Sequence, residues 1–313
     1  MRWLLCGRGR PVDVGSADYV LVLREDSAIV LYPDIERSRV EREERFEELG
    51  YEPVAYAWYA GYTVGTGTAT DGEVSLAPHR QALSDEEVKR YREAGADAAR
   101  AFVEALGRLR PDLTELEAAA LLAGAARDRD LVTRVNLVAG EERQPLHRHP
   151  LPTSAPLGRH ALLAFTAERS GLHVSMTRIV SFGPPPGRLA ELVRASADVD
   201  AAAIAASQPG RTHGEIFETI AAAYERVDFP EEWRRHHQGG LTGYKGREVF
   251  AVPGEPTPLP PAGAVAWNPS ITGGGKSEDT VLITAGEPEI LTRTPELPEL
   301  ESATVPRSAI VEL

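Results

Sequence analysis

The chain has 313 residues, 42% of them apolar and 26% charged, long enough for two domains or for one large domain with an appendage. Its 34 Lys and Arg against 47 Asp and Glu leave a net charge of −13, which argues against a nucleic-acid partner because phosphate binding needs clustered cations. Cys6 is the single cysteine, which rules out an intrachain disulfide and a thiolate zinc cluster.

The start, MRWLLCGRGRPVDV, has too short an apolar run for a signal peptide or a membrane span, so a cytoplasmic protein is expected. Residues 19–32, YVLVLREDSAIVLY, predict two short strands around the turn Glu25-Asp26-Ser27. The segment DIERSRVEREERFEELG predicts an amphipathic helix closed by Gly50, and EPVAYAWYAG a further strand. GTGTATDGEVSLAPHR has linker composition, so a small α/β domain is expected over residues 1–80 and a second domain over 81–313.

The second region opens with LSDEEVKRYREAGADAARAFVEALG. Here Ser84 and Glu87 form a capping box, each side chain able to satisfy a free amide at the helix end. PDLTELEAAALLAGAARD begins another helix with Thr114 and Glu117 in the same roles. Two strands, HALLAFTA and LHVSMTRIVSF, precede the turn GPPPG and an alanine-rich helix over 187–207. The next helix starts in PGRTHGEIFETIAAAYERVD, boxed by Thr212 and Glu215. Pro111, Thr114 and Glu117 recur as Pro209, Thr212 and Glu215, 98 residues on (209 − 111). Each copy follows a long helix and precedes a β-rich stretch, which predicts two related halves with a site in the cleft between them.

This order of segments resembles the pita-bread fold of the creatinase, prolidase and aminopeptidase P superfamily. TELEAAAL, GLHVSMTRIVSFG and EDTVLIT carry the resemblance, together with RRHHQGGLTGYKGREVF, which is similar to creatinase's histidine loop running into Gly-Arg-Glu. It implies an α/β (α+β) protein with a two-halved C-terminal domain, a small N-terminal domain and a homodimeric assembly. Family peptidases hold two divalent cations with two aspartates, a histidine and two glutamates. By motif register Ala164 and Ser175 stand at the aspartates, His236 or His237 at the histidine, Asn268 at the first glutamate, and Glu278 keeps the last. Two ions carry four positive charges, and burying them uncompensated costs on the order of several kcal/mol per ion. Neither a metal nor another cofactor is therefore expected.

Creatinase, within the same fold, works without metal and uses a histidine as acid–base. LHRHPLPT occupies the corresponding segment: His147 has the better spacing to the strand, while His149 directly precedes the proline, and the register does not separate them. Both flank Arg148, so an extended segment would project both imidazoles to one side. The candidate catalytic residues are His149, His147, His237 and Glu278, and the candidate substrate-binding residues are His236, Arg178, Tyr244, Arg247, Glu248 and Asn268. At most one of His236 and His237 is expected to face the cleft, and Gly239, Gly240 and Gly243 could admit close approach by a ligand. GGGKS, Gly273 to Ser277, lacks phosphate-loop spacing and reads as a hairpin turn.

Three functions follow. The first is a metal-independent enzyme that cleaves or rearranges a C–N bond of a small molecule with histidine as acid–base. The second is an Xaa-Pro-type aminopeptidase or dipeptidase with an altered metal site. The third is a binding protein on the same fold.

Overall fold

The computed structural model describes residues 1–12, 19–65, 69–70, 73–300 and 305–313. The chain divides into two compact units, Met1–Arg80 and Gln81–Leu313.

In the first unit β1 (Val20–Leu23) and β2 (Ala28–Pro33) form the expected hairpin, and β3 (Glu52–Tyr56) joins β2 in parallel. Leu5, Tyr19, Val30, Tyr32, Val40 and Phe46 make its core. The helix expected between β2 and β3 is broken into short turns, with Arg45 in a left-handed conformation (φ 45°). The cause is Glu44, whose buried carboxylate accepts from the Gly9 and Arg10 amides and pairs with Arg39. Satisfying those amides while burying Phe46 defeats the regular helix that the charge pattern favours. Gly50 ends the segment at φ 82°, as expected. Part of the linker-like stretch, 66–68 and 71–72, lies outside the described residues.

The second unit opens with α1 (Asp85–Leu106) and α2 (Glu115–Arg127), both starting at the capping boxes anticipated above. In α1 the buried positions Val88, Tyr91, Ala94, Ala98, Phe102 and Ala105 recur every three or four residues and form one stripe. β4 (Val132–Gly140), β5 (His160–Arg169) and β6 (Leu172–Ser181) follow as an antiparallel sheet. β5 and β6 are buried along almost their whole length because α1 and α2 cover one face and α3 (Gly187–Ala206) the other. That double cover explains why their sequences are continuous apolar runs.

α4 (His213–Arg226), again boxed by Thr212 and Glu215, leads into the second half. There β7 (Gly239–Thr242), β8 (Val249–Phe250), β9 (Gly263–Trp267), β12 (Asp279–Ile283) and β13 (Glu289–Ile290) form a sheet ordered β13-β12-β9-β7-β8. Between β9 and β12 runs the small hairpin β10 (Ser270–Ile271) and β11 (Gly275–Lys276), as GGGKS predicted. β14 (Val311–Glu312) closes the first sheet parallel to β6. α3 and α4 share a core with β7, β9 and β12 around Trp267 and Tyr224.

The repeated helix starts extend into three dimensions. Thr114 makes an isolated bridge to Pro156, and Thr212 makes one to Pro258. Each half thus ties the cap of its second helix to a proline that precedes its next long strand. The halves meet at another bridge, Thr177 to Glu278, where the Thr177 amide donates to the Glu278 carbonyl at 3.0 Å. No described helix is long and apolar enough to cross a membrane.

Candidate active site

The bridge between the halves places Glu278 in the wall of a cavity of about 430 Å³. Glu278 is buried; one carboxylate oxygen accepts from Thr177 Oγ1 at 2.8 Å and the other from Arg247 at 3.1 Å. Lys276 is two residues back along an extended chain, so its side chain shares the face of Glu278. It is 6% exposed, and it makes no ion pair or hydrogen bond through its ammonium among the described residues. Burial pushes its amine below the ordinary lysine value, with Glu278 opposing. The intervening Ser277 points the other way, donating to Asp200 beside the buried Arg307.

Across the cavity stand three histidines. His149 Nε2 and His236 Nε2 lie 2.9 Å apart, and the His236 and His237 rings stack at 4.5 Å with 24° between their planes. His149 and His237 each keep a solvent-exposed edge, whereas His236 Nδ1 is buried with no hydrogen-bond partner among the described residues. Desolvation lowers all three imidazoles, aided by the positive charge of Lys276; His237 is pushed down to about 4. At neutral pH the cluster is uncharged and able to accept protons.

The loops that carry the cluster are clamped together. Arg148 pairs with Glu232 and donates to Ser270 Oγ at 2.6 Å and Thr272 Oγ1 at 2.8 Å. Glu232 also accepts from the Thr272 amide and hydroxyl at 2.9 Å. The clamp holds the His149 segment, the turn before His236 and the β10–β11 hairpin in one arrangement.

Several expectations are corrected here. A bend at Arg148 sends His147 away from His149, into a neighbouring cavity of about 230 Å³ that shares Lys276 with the first. His236 and His237 do not diverge, since their rings stack, but only His237 lines the larger cavity. Arg178 lies on the opposite strand face from Thr177, buried and bound to Asp279, Thr294 and the carbonyls of Thr177, Glu278 and Thr292, so its five N–H donors are all engaged. Tyr244 donates to Glu87 at 2.7 Å and packs on the first half's core, outside the cavity wall. Glu248 also lies outside that wall. Gly239 and Gly240 answer to neighbouring strands and to no ligand: an added Cβ would stand 2.1 Å from the Ala266 carbonyl and 2.1 Å from the Val249 carbonyl, respectively.

His149, His237, Arg247, Asn268 and Glu278 do line one cavity. The charged residues missed by sequence reasoning are Arg134 and two of the chain's three lysines, Lys245 and Lys276, which line it as well. Arg134 pairs with Glu168 at 2.6 Å and Arg247 with Glu278; the two arginines and two lysines make four cationic side chains in a wall whose single lining carboxylate is Glu278. The spacing Lys276-x-Glu278 on a strand was the available signal.

Residues 89–285 match the sequence profile of metallopeptidase family M24. The chain belongs to that family. Among solved structures, this M24 member is similar to X-Pro aminopeptidase from Thermotoga maritima MSB8 (17% identity, 90% of this chain and 88% of that one, TM-score 0.72). It is also similar to prolidase from Pyrococcus furiosus (18%, 88% and 90%, 0.72) and to Xaa-Pro dipeptidase from Bacillus anthracis (18%, 96% and 90%, 0.71). These likenesses establish the pita-bread fold. None of the curated proteins compared with the chain matches it.

The two-metal centre of the family's peptidases does not fit this M24 member's residues. Ala164 offers no donor atom, and Ser175 Oγ is engaged with Thr166 Oγ1 at 2.8 Å. Both Glu278 oxygens are taken, and the unpaired Lys276 ammonium shares the cavity. Hard divalent cations need several oxygen ligands, preferably carboxylates.

Proposed function

We infer that this M24 member is a hydrolase that breaks a C–N bond in a small molecule carrying a carboxylate, and that the histidine cluster handles the protons. The observation that carries this reading is the positive excess of the cavity: beyond the Arg247–Glu278 and Arg134–Glu168 pairs, Lys245 and Lys276 add their cations to its wall in a chain of net charge −13. Such a wall suits an anionic ligand, and a cavity of about 430 Å³ suits one of metabolite or dipeptide size.

In this reading His237 or His149 takes a proton from water. The water oxygen then bonds to the carbon of the scissile C–N group, and negative charge collects on that carbon's oxygen or nitrogen opposite Lys276 and Arg247. The histidinium returns the proton to the leaving nitrogen as the C–N bond breaks. Glu278 holds Arg247 in place through their 3.1 Å contact. The names of the solved relatives favour an Xaa-Pro dipeptide as substrate, and a dipeptide supplies both the carboxylate and the C–N bond.

The test is a hydrolysis screen of Xaa-Pro dipeptides, N-acyl amino acids and guanidino acids, each with and without a carboxylate, in chelator and in added manganese. Turnover of a carboxylate-bearing substrate that survives chelation and falls about 10²–10⁴-fold in His149→Ala or His237→Ala is expected. Turnover only with manganese, indifferent to both variants, would overturn the reading.

A further inference from the structure

We propose that His149, His236 and His237 form a binding site for one nitrogen-seeking transition-metal ion, of the zinc, cobalt(II), nickel(II) or copper(II) class. The inference goes beyond the functional reading above, because it concerns what the cluster binds and not what the cleft hydrolyses.

The geometry comes first. One ligand nitrogen from each of the three rings lies within 4.8 Å of the others, and the closest pair is 2.9 Å apart. Two imidazoles bound to one tetrahedral ion at about 2.0–2.1 Å have their nitrogens about 3.4 Å apart. Small rotations of three side chains therefore close a shell around one point. Hydrogen bonding alone leaves the cluster poorly satisfied. One proton between His149 and His236 serves one nitrogen of each ring, and His236 Nδ1 stays buried without a partner among the described residues. A single ion engages lone pairs on all three rings at once.

Preorganisation comes next. His236 and His237 are consecutive, with stacked rings, and the Arg148–Glu232 clamp fixes the His149 loop against the turn that precedes them. Little chain entropy then remains to be lost on binding.

Ligand chemistry selects the ion. Three imidazoles without a carboxylate suit zinc, cobalt, nickel or copper, and serve magnesium or manganese poorly. This set differs from the family's oxygen-rich pair of sites, whose positions here hold Ala164, Ser175 and Asn268. Lys276 stands against it, since its charge acts on all three rings. Removing that charge is therefore expected to strengthen binding. Occupancy and proton transfer by the same imidazoles exclude one another.

The experiment uses the full chain, stripped with chelator, titrated calorimetrically with zinc, cobalt(II), manganese and magnesium, and followed by cobalt(II) visible absorption. One equivalent of zinc and of cobalt is expected, with nitrogen-type cobalt bands and no magnesium heat. His149→Ala and His237→Gln should each weaken binding about tenfold or more while leaving the melting temperature of the stripped protein nearly unchanged, and Lys276→Met should tighten it. Absence of zinc heat, zinc binding unaffected by both histidine variants, or two equivalents of manganese bound as tightly as zinc would each overturn the site. Because stoichiometry is read without turnover, failure of the hydrolase reading leaves this result standing, and the reverse also holds.

Discussion

Desolvation in the cleft, with Arg247 as the next cause, drives the His237 imidazole down to about 4. A base of this kind is neutral across the physiological range, so its use does not switch off at the ordinary histidine value near 6.5. Turnover that depends on neutral His237 should therefore hold as pH falls through 6.5 and decline only toward pH 4. The measurement is kcat/KM against pH on the substrate found by the screen. An acid limb centred near 6.5 would mean that the working base sits in an environment unlike this one. At this scale the sequence was only partly legible. Glu278, His149, His237 and Arg247 were reachable because each stands in a motif with a fixed register. Lys276 was not, because a hairpin turn explains GGGKS fully until the structure shows the side chain buried in the cavity wall with no partner for its ammonium among the described residues. Arg178 misled for the opposite reason: a strand gives alternate residues to opposite faces, and only the structure shows which face meets the cleft.

Among the elements, β7 shows how tightly the histidine loop is bound to the sheet behind it. Gly239 has φ 97°, and a Cβ there would lie 2.1 Å from the Ala266 carbonyl and 2.9 Å from Trp267 Cα, both on the neighbouring strand β9. Neither atom is a flexible side-chain end, so strand separation or backbone strain has to absorb the methyl group. Gly239→Ala is expected to cost about 3 kcal/mol or more, read as a lower urea midpoint with little change in slope. An unchanged midpoint would show that β7 and β9 part easily at this position. Element starts were the most legible part of the chain, because Ser84, Thr114 and Thr212 each begin a helix with an amide-satisfying glutamate three residues on. The segment over 34–50 was not legible. Its helical charge pattern is local, and the buried Glu44 carboxylate that breaks it answers to amides at Gly9 and Arg10, far away in sequence.

Taken over the whole molecule, the two halves were legible from one short repeat, because Pro111 and Pro209 open matching helices that the bridges at Thr114 and Thr212 anchor alike. The reversal of charge between surface and cleft was not, since a net charge is a sum and does not say where the few lysines gather. Burial also gives the molecule an acid sensitivity that no single residue sets. Six of the eight histidines, His149, His160, His173, His213, His236 and His237, have folded values lowered first of all by desolvation. For such a group the unfolded chain takes up a proton near pH 6.5 and the folded chain only at lower pH. Between these values the unfolded state binds more protons, so stability falls as pH falls, beginning near 6.5 and ending at the folded values. Asp200 opposes this, since burial raises it to about 6 and lets the folded state bind a proton in the same window. Burial raises Asp198 as well, and two such carboxyls against six histidines leave the balance with the histidines. The melting temperature should therefore drop steadily from pH 7 to pH 5, before most carboxylates titrate, and the drop should be shallower in the His149→Gln, His237→Gln double variant. A melting temperature that stays level over that interval would mean that the cluster is hydrated well enough to charge without unfolding the domain. The low base at His237 argued above would then lose its physical cause.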